Sequence, residues 1–177
     1  MPAPAEDMPG MLAAPRLRSL GTFEDLSPRA MDSVLETARA LQRAWLAGQS
    51  RALLRGRRLG LISDRPDSDD AALFRRAASE LGAHVALVRP AAADLASPAQ
   101  VQRMAQMLGR LYDALECHGL PAALVRQLGS EASVPVFEGI ALSSHPTAQL
   151  AGLLDDATPA AENRRFVLQA MLVSALA

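Results

Sequence analysis

Apolar residues recur along this chain at two spacings, one typical of helices and one of short buried strands. Two helical segments follow Ser-Pro pairs, Ser27-Pro28 and Ser97-Pro98, and a third follows His145-Pro146. A hydroxyl before a helix can cap a free amide, and proline's fixed φ suits the first helical position. The spacing predicts helices over 28–47, 68–81, 97–111, 121–130 and 160–176, and one starting at 145.

Short apolar runs bounded by charged or turn residues alternate with these helices. They predict β-strands over 58–63, 84–88, 114–117 and 134–137. Strands that alternate with helices at this spacing form a parallel sheet whose two faces are both covered. We therefore expect an α/β fold, a three-layer αβα sandwich around a four-stranded parallel sheet.

The length of 177 residues allows one domain with a substantial core. The first 15 residues are rich in Pro and Ala and have no periodicity, so we expect a flexible tail. The remaining residues, 16–177, are then expected to form a single domain.

Charge and composition exclude several classes of function. The net charge is −1 and the basic residues are scattered apart from Arg55, Arg57 and Arg58, which disfavours nucleic-acid binding. No run of apolar residues is long enough to suggest a membrane span, and no Walker A or glycine-rich dinucleotide motif indicates a cofactor. A single cysteine, Cys117, and acidic residues where a signal peptide needs basic ones suggest a cytoplasmic location.

Three stretches resemble the ornithine and aspartate carbamoyltransferases. Residues 53–88 resemble the segment in which a strand leads into that family's Ser-Thr-Arg-Thr-Arg loop and helix. Residues 108–120 resemble its strand carrying an arginine, and 134–156 resemble its Val-Pro-Val strand and His-Pro-Thr-Gln helix. The resemblance implies the fold of the carbamoyl-phosphate-binding domain.

The final segment, AAENRRFVLQAMLVSALA, is similar to the helix that ends an ornithine carbamoyltransferase. Here it follows His-Pro-Thr almost directly. The resemblance therefore implies a first domain closed by helix 160–176, with the ornithine-binding domain missing.

The phosphate-binding loop of the family is altered. The resemblance places Asp67, Ser68, Asp69, Asp70 and Ala71 where the family has Ser, Thr, Arg, Thr and Arg. Both phosphate-binding arginines are lost, and a carboxylate about 4 Å from a phosphate charge costs about 1 kcal/mol even in water. We do not expect phosphate binding in the family's manner.

Other site positions are partly kept. His118 stands where the family has an arginine that contacts phosphate and the carbamoyl oxygen. His145 matches the histidine that donates to the carbamoyl oxygen, but Ala148 replaces the glutamine of that motif. His145 is thus a residual catalytic candidate that we expect to serve mainly as a helix-start residue, while Arg65 and Arg103 are candidates for binding some other anion.

The acidic loop has a simpler explanation than ligand binding. Asp67, Asp69 and Asp70 precede or begin a helix, where carboxylates complement free amides and the helix dipole. A Mg²⁺ or Ca²⁺ site that adds Asp64 is the alternative, but the spacing lacks the glycine and distal glutamate of an EF-hand. We predict helix capping and no metal site.

Three hypotheses on function remain. The leading one is a catalytically silent carbamoyltransferase-like protein acting in assembly or regulation, as a homotrimer or in a mixed oligomer with an active carbamoyltransferase, as the resemblance implies. The second is a small-molecule binding module with an acidic pocket for a cationic or amino-acid ligand. The third is a carbamoyl-phosphate-dependent transferase whose second half comes from a partner chain.

Overall fold

A computed structural model describes residues 27–155 and 157–177. The predicted tail, 1–15, lies outside these ranges. The helices are α1 (Pro28–Leu46), α2 (Asp69–Glu80), α3 (Pro98–Leu111), α4 (Ala122–Glu131) and α5 (Ala160–Leu176), and the strands are β1 (Arg58–Ser63), β2 (His84–Val88), β3 (Ala114–His118) and β4 (Val136–Glu138). No helix within the described ranges combines the length and the apolar character needed to cross a membrane.

The four strands form one parallel sheet in the order β2-β1-β3-β4. Leu61 of β1 lies between Leu87 of β2 and Glu116 of β3, and Leu115 of β3 pairs with Val136 of β4. The prediction of a four-stranded parallel sheet is confirmed.

Helices cover both faces of the sheet. Helices α1, α2 and α5 pack on one face, where Leu61 and Phe137 enter their shared apolar core. Helices α3 and α4 pack on the other face, where Ile62 and Cys117 point into a second core. The predicted three-layer arrangement is therefore confirmed.

Helix α5 is the most deeply buried of the helices. Every residue from Asn163 to Leu172 is buried, and the helix contacts α1, α2 and the segment after His145. A helix that is buried nearly all round lies inside a core rather than on its surface. Arg57, just before β1, donates to the carbonyl of Leu176 at 2.8 Å and fixes the far end of the helix.

Local chemistry explains most of the element boundaries. Ser27, Ser68 and Ser97 each accept a hydrogen bond from the backbone three residues later, as expected for helix caps. Strand β4 begins two residues later than predicted, because Pro135 has no N–H for a sheet ladder.

Two short 3₁₀ helices differ from the sequence prediction. One, Ala92–Leu95, was not predicted, and the other, Pro146–Leu153, was predicted as an ordinary helix. Side chains three residues apart eclipse in a 3₁₀ helix, so Thr147 and Leu150 both reach the core.

Candidate functional site

The predicted site residues gather at the carboxyl edge of the sheet, where β3, β4 and the start of α2 meet. The segment after β4, residues 139–145, runs across this edge and is called the 139–145 loop below. Gly139 has φ +69°, a conformation that strains other residues, and a Cβ there would also displace the side chain of Leu142, whose Cδ1 lies 2.5 Å away.

The first turn of α2 is tied directly to this loop. Ser68 caps the helix by accepting a hydrogen bond from the backbone N–H of Ala71 at 3.2 Å. The carboxylate of Asp70 accepts one from the backbone N–H of Ser143 at 3.1 Å. A backbone amide of the loop thus donates to a carboxylate of the same chain.

A buried Glu–His pair lies beneath the same loop. Glu116 is fully buried on β3, and its Oε1 accepts hydrogen bonds from His118 Nε2 at 2.8 Å and from the N–H of Ala141 at 3.1 Å. Burial raises the pKa of Glu116, and the hydrogen bond from His118 opposes that rise. Within the described residues, Glu116 Oε2 and His118 Nδ1 are buried without a hydrogen-bond partner.

A buried arginine of α5 holds the loop from its other side. Arg164 Nη2 donates to the carbonyls of Ile140 and Leu142 at 2.9 and 2.8 Å, and Nη1 donates to Thr147 Oγ1 at 3.4 Å. Burial lowers the pKa of Arg164, while the charges of Asp70 and Glu116 favour its protonated form. Three ionisable side chains from α2, β3 and α5 therefore hold the 139–145 loop.

His145 caps the 3₁₀ helix that follows the loop. Its Nδ1 accepts a hydrogen bond from the N–H of Thr147 at 3.2 Å and lies 2.8 Å from the hydroxyl of that residue. Burial, followed by the nearby charge of Arg164, lowers the pKa of His145 to about 4. The ring is therefore neutral at pH 7, with Nδ1 serving as an acceptor within its own turn.

A cavity of about 550 Å³ opens beside the first turn of α2. Asp69 and Asp70 line one part of it, called the acidic lip below, and most of the other lining residues are apolar. Arg164 and Ala148 line it, but His118 and His145 do not. The cavity therefore combines an acidic lip with small apolar walls formed by Leu73, Ala148, Ala151, Gly152, Ala160 and Ala161.

Other predicted residues lie apart from this cavity. Arg65 and Asp67 are exposed in the loop after β1. Arg103 lies on α3, in the opposite layer, and lines a separate cavity of about 250 Å³ with Asp94. In the part of the chain that the structure describes, no group of three or more His, Cys, Asp or Glu residues is placed to hold a metal.

The position aligned with a family arginine is closed to solvent. Ala71, in the first turn of α2, is fully buried against the core, with 0 % exposure. A guanidinium at this position would have to displace core side chains or lose its hydration, and either costs free energy. The structure therefore leaves no open space at position 71 for an arginine side chain.

Sequence reasoning missed two of the three residues that hold the loop, Glu116 and Arg164. Glu116 could have been noticed, since it is a carboxylate inside a strand that the pattern predicts to be buried on both faces. Arg164 gave a weaker signal, because a helix with two adjacent arginines usually presents them to solvent.

Comparison with known proteins finds one family model that matches residues 18–155, described as the aspartate/ornithine carbamoyltransferase carbamoyl-P binding domain. An ornithine carbamoyltransferase of Actinobacillus pleuropneumoniae is 33% identical over 137 residues, which cover 77% of this chain and 41% of the relative. A catabolic ornithine carbamoyltransferase of Rhizobium meliloti is 34% identical over 139 residues, covering 78% and 42%. The chain thus spans about two fifths of the length of these curated relatives.

Solved structures give the same fold. Ornithine carbamoyltransferase from Burkholderia thailandensis superposes with a TM-score of 0.67 and 23% identity, covering 77% of this chain and 47% of that one. Aspartate transcarbamoylase from Trypanosoma cruzi, solved with carbamoyl aspartate and phosphate, gives a TM-score of 0.64 and 23% identity over 81% and 45%. At this level of identity the likeness establishes the fold alone.

Proposed function

This chain belongs to the aspartate/ornithine carbamoyltransferase family through its carbamoyl-phosphate-binding domain, and we propose that it is catalytically silent and acts in assembly or regulation. The proposal treats residues 16–177 as one functional unit closed by α5. The proposal rests on one observation: two carboxylates of the chain itself accept hydrogen bonds from amides of the 139–145 loop. Asp70 accepts from Ser143, and Glu116 accepts from Ala141.

Electrostatic repulsion opposes phosphate binding at the start of α2. A phosphate group at the start of α2 would meet the carboxylates of Asp69 and Asp70 in place of the arginines found in the family. Two like charges 4 Å apart repel by about 1 kcal/mol in water and by about 4 kcal/mol at an effective dielectric constant of 20. Arg164 is a buried cation that lines the neighbouring cavity, but both of its terminal nitrogens already donate within the chain, to Ile140, Leu142 and Thr147.

Carbamoyl transfer also requires suitably placed hydrogen-bond donors. The reaction needs groups aimed at an oxygen that gains negative charge. His118 is buried against Glu116, and His145 is neutral at pH 7 with its Nδ1 bound in its own turn. Both histidines at family positions are therefore engaged in maintaining the fold.

Assembly is supported by the edge of the sheet. Strand β2 pairs only with β1 among the described residues, and Leu87 on it is partly exposed. The carbamoyltransferases that this chain resembles form trimers through this domain, and we propose a homotrimer or a mixed oligomer with an active carbamoyltransferase. We place the protein in the cytoplasm, without a nucleic-acid or membrane partner.

The test is a citrulline assay with carbamoyl phosphate and ornithine, run with the purified chain alone and with an active ornithine carbamoyltransferase added. We expect no product from the chain alone. Light scattering should give a mass near three times the 18.7 kDa monomer or a mixed complex with the added enzyme. Turnover by the chain that His145→Ala abolishes would contradict the proposal, as would a monomer that leaves the enzyme's mass and rate unchanged.

A second candidate function is binding of a cationic ligand in the cavity of about 550 Å³, whose acidic lip and apolar walls suit a polyamine or a basic amino acid. A thermal-shift titration with spermidine, ornithine and arginine tests it. We expect a rise in melting temperature that Asp69→Asn weakens and that Asp67→Asn, outside the cavity, preserves. No shift with any of the three ligands would exclude this function.

A further inference from the structure

A second cleft lies far from the carboxyl edge, between the end of α1, the segment 49–53 and α5. Its volume is about 580 Å³, within the range of small-molecule sites in proteins. The end of α2, at Glu80 and Leu81, forms its floor and leads to the amino end of the sheet. The cleft is therefore separate from the site of Asp70 and Ser143.

One wall of the cleft is aromatic, and contacts with Phe166 and Arg165 orient its ring. The ring of Trp45 contacts the ring of Phe166 edge to face, with 5.8 Å between centroids. The guanidinium of Arg165 lies 5.3 Å from the Trp45 centroid and 4.1 Å from that of Phe166. Trp45 is nevertheless 42% exposed, so part of an oriented indole ring faces solvent.

The ion network beside the cleft is balanced, because two arginines face two glutamates. Arg165 is buried and donates to the carboxylates of Glu80 and Glu162, and Arg76 donates to the same two carboxylates. Gln169 also donates to Glu80, at 3.0 Å. The buried ion network thus needs no counterion, and a charged ligand would gain little from it.

Hydrogen-bonding groups remain at the rim. The side chains of Gln49 and Ser50 line the cleft and make no hydrogen bond with the described part of the chain. Leu41 and Leu53 supply apolar surface next to the indole. The lining therefore offers an aromatic face, aliphatic contacts, the neutral polar groups of Gln49 and Ser50, and the exposed guanidinium of Arg51.

We propose that this cleft binds a small, uncharged planar aromatic or heteroaromatic molecule, which stacks against Trp45 and hydrogen-bonds to Gln49 and Ser50. The exposed large apolar residues that line the cleft are Trp45 and Leu53. Two side chains fall well short of the roughly 800 Å² that each partner buries in a stable protein interface. The cleft thus fits a small molecule better than a protein partner.

Trp45 is the single tryptophan of the chain, so intrinsic fluorescence reports on this cleft alone. The experiment titrates the full chain with adenosine, nicotinamide and quinoline at pH 8, where all three are uncharged, with excitation of the indole. At least one should give a saturable change with a midpoint below about 1 mM. Cyclohexanol, an aliphatic control, should give none.

Variants separate binding in the cleft from a general effect. Leu53→Asp places a charge in the wall and should weaken binding by roughly tenfold or more. Leu153→Asp, at an exposed leucine outside the cleft, should leave the midpoint unchanged. If Leu53→Asp does not fold by circular dichroism, Gln49→Ala in the same cleft replaces it.

Three outcomes would overturn the proposal. The first is no saturable change with any of the three probes, and the second is equal weakening by Leu153→Asp. The third combines two observations: the Trp45 fluorescence changes with protein concentration, and Leu53→Asp lowers the mass of the particle in solution. Together these would show that the cleft is an interface between copies of the chain. The proposal does not depend on catalytic silence, since the citrulline assay reports on the opposite edge of the sheet.

Discussion

The carboxylate of Asp70 at the start of α2 accepts a hydrogen bond from the backbone N–H of Ser143, with 3.1 Å between Oδ1 and the nitrogen. The contact joins residues 73 positions apart and closes the carboxyl edge of the sheet with a negative charge. A hydrogen bond to a charged group contributes about 1.5 to 3 kcal/mol in folded proteins, and less at an exposed site.

Replacing Asp70 with alanine should therefore loosen the 139–145 loop. We expect a loss of about 1 kcal/mol in the free energy of unfolding, measured by urea titration. Amide exchange at Ser143 should become faster. Asp67→Ala, an exposed carboxylate outside the cavity, is the matched control, and an equal loss in both variants would mean that the contact with Ser143 contributes nothing.

The buried carboxylate of Glu116 should be far more sensitive to truncation. Glu116→Ala leaves His118 Nε2 and the N–H of Ala141 without an acceptor in a dry interior, and we expect a cost of about 3 to 5 kcal/mol. Glu116→Gln keeps an oxygen that can accept both hydrogen bonds, so it should cost about 1 kcal/mol. Urea unfolding compares the two variants, and similar losses would show that acceptance of these hydrogen bonds is not what matters.

His145 should make stability depend on pH. Its pKa is lowered to about 4 in the fold, whereas an unfolded chain has a histidine pKa near 6.5. As the pH falls from 7 to 5, His145 binds a proton in the unfolded state but stays neutral in the native state. The free energy of unfolding therefore decreases. With allowance for solvent screening at this half-buried ring, the decrease is about 1 kcal/mol.

The matched variant is His145→Asn, because asparagine can still cap the 3₁₀ helix and does not titrate. The difference in unfolding free energy between the two proteins should shrink or change sign between pH 7 and pH 5. A constant difference across this range would contradict a depressed pKa at His145. His84 and His118 are the same in both proteins, so the comparison isolates position 145.

Much of the fold was predictable because its signals are local. Ser27-Pro28 and Ser97-Pro98 set helix starts through capping, and apolar runs such as 58–63 set buried strands. The 3₁₀ geometry after His145 was not predictable, since it depends on how Thr147 and Leu150 meet the core. The start of β4 was predicted two residues too early, because the apolar pattern begins at Val134 while Pro135 has no N–H to donate to a neighbouring strand.

The site was predictable only in part. The acidic start of α2 was evident in the sequence, but its partner, the amide of Ser143, becomes a neighbour only through the crossing of the 139–145 loop. Glu116 and His118 lie two residues apart on β3, but the contacts of Glu116 and Arg164 with the 139–145 loop depend on how that loop and α5 pack against the sheet. No local pattern contains those packing contacts.

Isothermal titration of the purified protein with carbamoyl phosphate, and separately with inorganic phosphate, tests the central claim most directly. An active ornithine carbamoyltransferase serves as the positive control under the same conditions. If internal carboxylates have closed the anion site, neither ligand should bind with a dissociation constant below about 1 mM, which corresponds to roughly 4 kcal/mol. Tighter binding that Asp70→Ala leaves unchanged would contradict the account and restore a carbamoyl-phosphate-dependent activity as the leading hypothesis.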